Sequence, residues 1–208
     1  MPRRAPENSL PAFALALEAG ADGLELDVHT TADGVVVVHH DPVLRDGRAI
    51  AAVPLAALRR YELARGVGIP TLQELMDLVD GRATLFVEIK ASGIEIPVLQ
   101  TLTSYRGAFA LHSFDHAMIA RAHRADPDVR LGILFEDAPL DVARSMAETG
   151  ASDVWPHRSL ASPELVSIVH AEGGHVIAWT VNDPMDAQHL AALGVDGLCS
   201  DDVTLLSH

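Results

Sequence analysis

The chain has 208 residues, 49% hydrophobic but only 4% aromatic, so one domain over 1–208 with a core of Ala, Leu and Val is expected. Its 15 Lys+Arg against 29 Asp+Glu give a formal charge of -14, which leaves no basic stripe for a nucleic-acid backbone and repels anionic membranes on average. The lone Cys199 excludes an internal disulfide, and no apolar stretch reaches membrane-spanning length; with no signal-peptide core in "MPRRAPENS", a cytoplasmic protein without nucleic-acid partner or stable membrane insertion is expected.

In chain order, a helix is predicted over 8–20, with Asn8 or Ser9 as N-cap, Pro11 in the first turn and Gly20 as the stop. Two strands follow, 23–28 and 35–40, joined by about six residues through Thr-Ala-Asp-Gly, too few for a parallel crossover. They should form a hairpin. Leu55 to Leu63 reads as helical, and 71–79 as a helix opened by a Thr71/Glu74 capping box. Strands are predicted at 84–90, 107–113, 129–135, 152–155, 175–181 and 196–199, with helices at 115–126, 138–150, 162–173 and 183–194 between the later ones. From Glu88 onward strand and helix alternate, the signature of parallel strands covered by helices. Acids and small polar residues recur just after strand ends, where a (β/α)₈ barrel keeps its chemistry. The expected fold is therefore α/β, a TIM-type (β/α)₈ barrel with a β-hairpin excursion at 23–40. The hairpin leaves seven barrel strands, so the barrel is lacking or truncated at its first strand, before the first helix.

Chemistry concentrates first at Glu25 and Asp27, whose i, i+2 spacing in a strand sets both carboxylates on one face. Two neighbouring buried carboxylates need positive charge. A divalent cation with oxygen ligands, Mg²⁺ or Ca²⁺, meets that need, and an exposed face with incidental acids is the alternative. Glu88 and Lys90 repeat the spacing and should both point inward, as a functional pair or as a simple Glu–Lys cap. No CxxC, G-x-S-x-G elbow, P-loop or G-x-G-x-x-G is present.

The segments "APENSLPAF", "GADGLELDVHTTADGVVVVHHD", "VEIK", "HSF", "AWTVND" and "GVDGLCSDD" occur in the order of the glycerophosphodiester phosphodiesterase family, which the sequence resembles over nearly its whole length. Each is weak alone; "ELDV-x-x-T-x-D-G…HD" makes the combination specific. The resemblance implies a TIM-type barrel and metal-dependent hydrolysis of a small glycerophosphodiester to glycerol 3-phosphate and an alcohol. It implies one divalent cation, Mg²⁺ or Ca²⁺, on Glu25, Asp27 and Glu88. Lys90 would contact the phosphate, and His40 would serve as general acid or proton partner. Glu7 matches a family glutamate near the metal, or else stabilises the following helix N-terminus. Ser113, Phe114 and Trp179 would line the substrate pocket, or fill the barrel. The family's His-Arg-Gly motif is missing where the first strand is missing, which favours a truncated start; Arg3 or Arg4 could stand in for its arginine. A lysophospholipase-D-like phosphodiesterase, or an impaired phosphoglycerol-binding protein, are the alternative readings. An open barrel edge would favour a homodimer.

Overall fold

The computed structural model of the chain describes residues 4–137 and 141–205. They fall into two compact units, Met1–Phe109 and Ala110–His208.

The first unit opens with α1 (Leu10–Glu18), capped by Ser9, whose Oγ accepts from the Ala12 amide. Asn8 is not the cap: it sits at φ 52°, which turns its side chain away from the helix and toward the first strand. Gly20, at φ 87°, supplies the left-handed residue after the helix. The strands β1 (Gly23–Thr30) and β2 (Val36–Val38) form the expected hairpin, with Val28 opposite Val38 and Thr30 opposite Val36. β2 is shorter than predicted, and His39 and His40 lie beyond its end.

The predicted helix over 55–63 is corrected: α2 spans only Leu55–Leu58, and the chain turns into a small hairpin of β3 (Glu62–Ala64) and β4 (Val67–Gly68). Leu63 and Tyr61 pack instead on a satellite core of Val37, Leu44, Ile50, Val53, Leu58 and Ile69, a non-local contact that outweighs local helix propensity. The capping box of α3 (Leu72–Val79) is formed as expected, Thr71 Oγ1 accepting from the Glu74 amide while Glu74 accepts from the Thr71 amide. β5 (Thr84–Ile89) pairs in parallel with β1, and an unpredicted helix α4 (Glu95–Leu102) follows.

Alternation along β1 and β5 divides their residues into two sets. Leu24, Leu26 and Val28, with Leu85, Val87 and Ile89, are all buried. The opposite face carries Gly23, Glu25, Asp27 and His29 beside Phe86, Glu88 and Lys90. Gly23 leaves room for the Phe86 ring: a Cβ there would lie 2.6 Å from Phe86 Cε2, and the ring would have to shift.

The second unit is a parallel sheet in the order β6 (Phe109–Ser113), β7 (Arg130–Phe135), β8 (Asp153–Pro156), β9 (His175–Ala178) and β10 (Gly197–Leu198). Between them run α5 (His116–Ala125), α6 (Val142–Thr149), α7 (Pro163–Ala171) and α8 (Pro184–Leu193), as predicted from the alternation. The predicted start of α6 at 138–140 lies outside the described residues, as does Arg3. Leu131, Ile133, Val154 and Val176 are fully buried on the strands, and Ile119, Ala122 and Val169 are fully buried on the helices. Among the described residues of this unit four polar ones are buried as well: His112, Ser113, Thr149 and Asp153. Asp153 is wholly inaccessible and takes a bidentate pair from Arg130, Nε at 2.7 Å and Nη2 at 3.0 Å, with His175 Nδ1 at 3.4 Å. Among the described residues no strand precedes α1, and no helix is long and apolar enough to cross a membrane.

Candidate active site

In the first unit the parallel register sets Asp27 opposite Glu88 and Glu25 opposite Phe86, so three acids share one small area of one face. Lys90, one step beyond, stretches back over them: Nζ lies 3.0 Å from Glu88 Oε1 and 3.5 Å from Asp27 Oδ1. Burial alone would pull the ammonium down in pKa, but Asp27 and Glu88 outweigh it and hold Lys90 above its ordinary value, hence charged. Glu25 behaves oppositely. Desolvation, and then the Asp27 charge, push its carboxyl well above the usual glutamate range, against the pull of Lys90 and His40. One ammonium does not neutralise three carboxylates. A hard divalent cation with oxygen ligands would: Glu25 and Glu88 can each bring a carboxylate oxygen within 4.8 Å of the other, close enough to share one, while the Asp27 oxygens are engaged by Asn8 and Lys90 on the same face.

Asp27 is aimed by Asn8. Asn8 Nδ2 donates to Asp27 Oδ2 at 2.7 Å, and the Asp27 amide donates back to Asn8 Oδ1 at 3.1 Å. Sequence reasoning took Asn8 for a cap; only its left-handed backbone, which Asn tolerates better than most residues, signals the other role.

His40 lies just past β2 with half of its side chain exposed. Its Nδ1–H donates to Asp41 Oδ1 at 2.8 Å, which leaves Nε2 for proton transfer. The Asp41 hydrogen bond is the main reason that the imidazole pKa is raised, with burial opposing it. His29 is buried, donates from Nε2 to the His40 carbonyl at 3.1 Å, and is pushed down in pKa by desolvation; it holds the loop and does not reach the surface. His39 donates from Nδ1 to the Asp41 carbonyl at 2.8 Å. A groove of about 280 Å³ opens beside His40, with Glu7, Asn8, His39, Asp41, Val43 and Arg45 in its walls. Because β2 has ended, strand alternation no longer separates His39 from His40, and both line the groove. Glu7 is exposed there, and its charge reaches Glu25.

Six of the expected site residues thus belong to the first unit: Glu7, Glu25, Asp27, His40, Glu88 and Lys90. The other three belong to the second. Ser113 is buried, and its Oγ accepts from the Asp115 amide at 3.2 Å. Phe114 is exposed and meets Trp179 edge-on, ring centres 5.4 Å apart. Trp179 donates from Nε1 to the Trp155 carbonyl at 2.9 Å, and His157 also meets it edge-on, ring centres 5.4 Å apart. Arg4 is exposed.

The sequence profile of the glycerophosphoryl diester phosphodiesterase family matches residues 1–205. A glycerophosphodiester phosphodiesterase of Bacillus altitudinis is 30% identical over 218 residues, covering 94% of this chain and 89% of its own. That of Caldanaerobacter subterraneus subsp. tengcongensis is 29% identical, covering 96% and 90%. Among solved structures, an Oleispira antarctica phosphodiesterase in complex with the product sn-glycerol-3-phosphate superposes with a TM-score of 0.91 at 26% identity, covering 98% of this chain and 91% of its own. A Silicibacter pomeroyi putative glycerophosphoryl diester phosphodiesterase gives 0.88 at 29% identity, covering 97% and 87%. The expected fold class, a TIM-type α/β barrel with the 23–40 hairpin, is borne out by this likeness and by the strand–helix order above.

Proposed function

We propose how this chain, which belongs to the glycerophosphoryl diester phosphodiesterase family and is accordingly a phosphoric diester hydrolase, cleaves a small glycerophosphodiester to glycerol 3-phosphate and an alcohol. Glu25, Asp27 and Glu88 hold one divalent cation, Mg²⁺ or Ca²⁺. Bound there, it would polarise a phosphoryl oxygen and stabilise charge in the transition state. Lys90 adds a point charge to the same phosphate. His40, oriented by Asp41, protonates the leaving oxygen from Nε2. Glu7, on the groove wall, bears on the charge at Glu25. In the second unit we assign Ser113, Phe114 and Trp179 to substrate contact; the edge-on Phe114–Trp179 pair supports an apolar contact with a glycerol carbon skeleton. The attacking oxygen is water or the substrate's own glycerol hydroxyl, and a diester lacking that hydroxyl separates the two. The finer assignments are a single domain over 1–208, a cytoplasmic location and a homodimer.

The observation that carries this reading is the register Asp27–Glu88 with Lys90 bridging both carboxylates. The test is release of glycerol 3-phosphate from glycerophosphodiesters with Mg²⁺ or Ca²⁺, beside an EDTA blank and Glu25→Ala. Metal-dependent release, lost in both controls, is the expected result. Release that survives EDTA and Glu25→Ala would overturn the assignment. Metal-dependent binding without release would favour the second reading, a phosphoglycerol-binding protein.

A further inference from the structure

The groove beside His40 has a wall that the reaction above leaves unused. Residues 42–50 form a tight turn: Val43 bridges Ala49, the Leu44 amide donates to the Arg48 carbonyl at 2.8 Å, and the Ile50 amide donates to the Pro42 carbonyl at 2.9 Å. Leu44 is buried in the satellite core with Val37 and Ile50. Its neighbours Val43 and Arg45 are exposed, and both line the groove. Arg45 is also fastened to β3: its amide donates to Tyr61 Oη at 3.2 Å, and Nη1 donates to the Leu63 carbonyl at 3.4 Å. A guanidinium with further donors is thus set on the groove by a rigid turn.

His40 fixes what that groove can hold. Its Nδ1–H is committed to Asp41, so the leaving oxygen must approach Nε2, and the departing alcohol extends along the His40 side of phosphorus. Asn8, which holds Asp27, lines the same groove, so the groove abuts the carboxylate cluster. We infer that this groove receives the leaving alcohol, and that Arg45 selects alcohols bearing hydroxyl or anionic oxygen acceptors, such as glycerol or serine head groups, ahead of choline. The inference rests on the reading of His40 as the acid.

A quaternary ammonium has neither donor nor acceptor and is recognised by aromatic faces. Among the described residues, the groove walls include no Phe, Tyr or Trp; besides those already named they hold only Pro6 and Leu63. Arg45 repels a fixed cation and donates to an oxygen. Of the two acids present, Asp41 is engaged by His40, and Glu7 is the counter-charge that lets an amine enter when it brings an acceptor with it.

The test is competition. An equimolar mixture of glycerophosphoglycerol and glycerophosphocholine is given to the full chain with Mg²⁺ or Ca²⁺, and the loss of each is followed by ³¹P NMR. Where neither is consumed, the same ratio is taken from dissociation constants by calorimetry. Wild type should prefer glycerophosphoglycerol, and Arg45→Glu should move the ratio toward glycerophosphocholine by about tenfold, the scale of reversing one exposed charge contact. Arg45→Gln, which keeps donors without charge, should fall between. A wild-type preference for glycerophosphocholine, or an unchanged ratio in Arg45→Glu, overturns the role of Arg45 while leaving phosphodiester hydrolysis standing. If neither diester nor glycerol 3-phosphate binds or reacts, the parent reading falls and this one with it.

Discussion

Replacing Asn8 tests whether the acids are positioned for a metal or merely tied to a loop. Asn8 makes two bonds to Asp27, at 2.7 Å to the carboxylate and 3.1 Å from the amide, and does so from a φ of 52°. Asn8→Gly removes both bonds but keeps the left-handed backbone free of strain. The neutral bond is worth about 1 kcal/mol and the charge-assisted one about 1.5–3 kcal/mol; partial exposure lets water recover some of this, so a loss of about 2 kcal/mol is expected. Asn8→Ala adds about 1–2 kcal/mol for the left-handed Cβ. For a chain of this size each kcal/mol lowers the melting temperature by about 2–4 °C, so Asn8→Gly should lose about 4–8 °C and Asn8→Ala more. The decisive measurement is calorimetric titration with Mg²⁺ and Ca²⁺. If Asn8 orients Asp27 as a ligand, Asn8→Gly should weaken metal binding about 10–100-fold, as removal of a ligand-orienting partner does elsewhere. A melting loss of the expected size with metal affinity within twofold of wild type would refute the reasoning and leave Asn8 a loop tie.

The Asp41 hydrogen bond raises the His40 pKa, and His40 acts while protonated, so the alkaline limb of kcat/KM should move to lower pH in Asp41→Asn; an unmoved limb would remove His40 as the acid. Glu25 is raised by burial and by Asp27, so above its folded pKa the metal-free protein carries a penalty that the unfolded chain lacks. Metal-free stability should therefore rise as pH falls through that raised value toward the ordinary glutamate value, and saturating Mg²⁺ should flatten the profile; urea melts across pH check both. Asp153→Ala strips a fully buried carboxylate from Arg130, whose side chain is 38% exposed and partly solvated, and should cost about 2–3 kcal/mol, or roughly 4–12 °C in melting temperature. A loss below about 2 °C would mean that water solvates Arg130 in its place.

The sequence disclosed what depends on short range. Thr71 and Glu74 sit three apart and form their box; Glu25 and Asp27 sit two apart and share a face. The alternation from Glu88 onward is local pattern as well, which is why the later strands and helices fall near their predicted places. What stayed hidden is tertiary. β3 and β4 are too short to show a strand period, and Tyr61 and Leu63 are held by a satellite core assembled from residues 37–69. α4 begins after Gly93 at φ 87° and carries Pro97 in its first turn, so the segment reads as loop. The bond from Asn8 to Asp27 spans 19 residues, and Asn8 beside a helix start looks like a cap. The Asp41–His40 contact, between neighbours in the chain, was within reach of the sequence.

The division of β1 into two sets gives that strand a phase, much as a codon gives a message a frame. One residue inserted between Gly23 and Asp27 would turn the acids following it into the apolar layer and bring Leu or Val to the site. Two inserted residues would restore the phase but slide the acids one rung, about 6.6 Å, away from Glu88 and Lys90. The slide has no room to be absorbed, because the strand is pinned at both ends: the Thr84 amide donates to the Asp22 carbonyl, and the Lys90 amide to the Val28 carbonyl. Changes of length are therefore confined to turns outside it, such as those at Gly47 and Gly66, where the groove wall can be rebuilt while the acids keep their register.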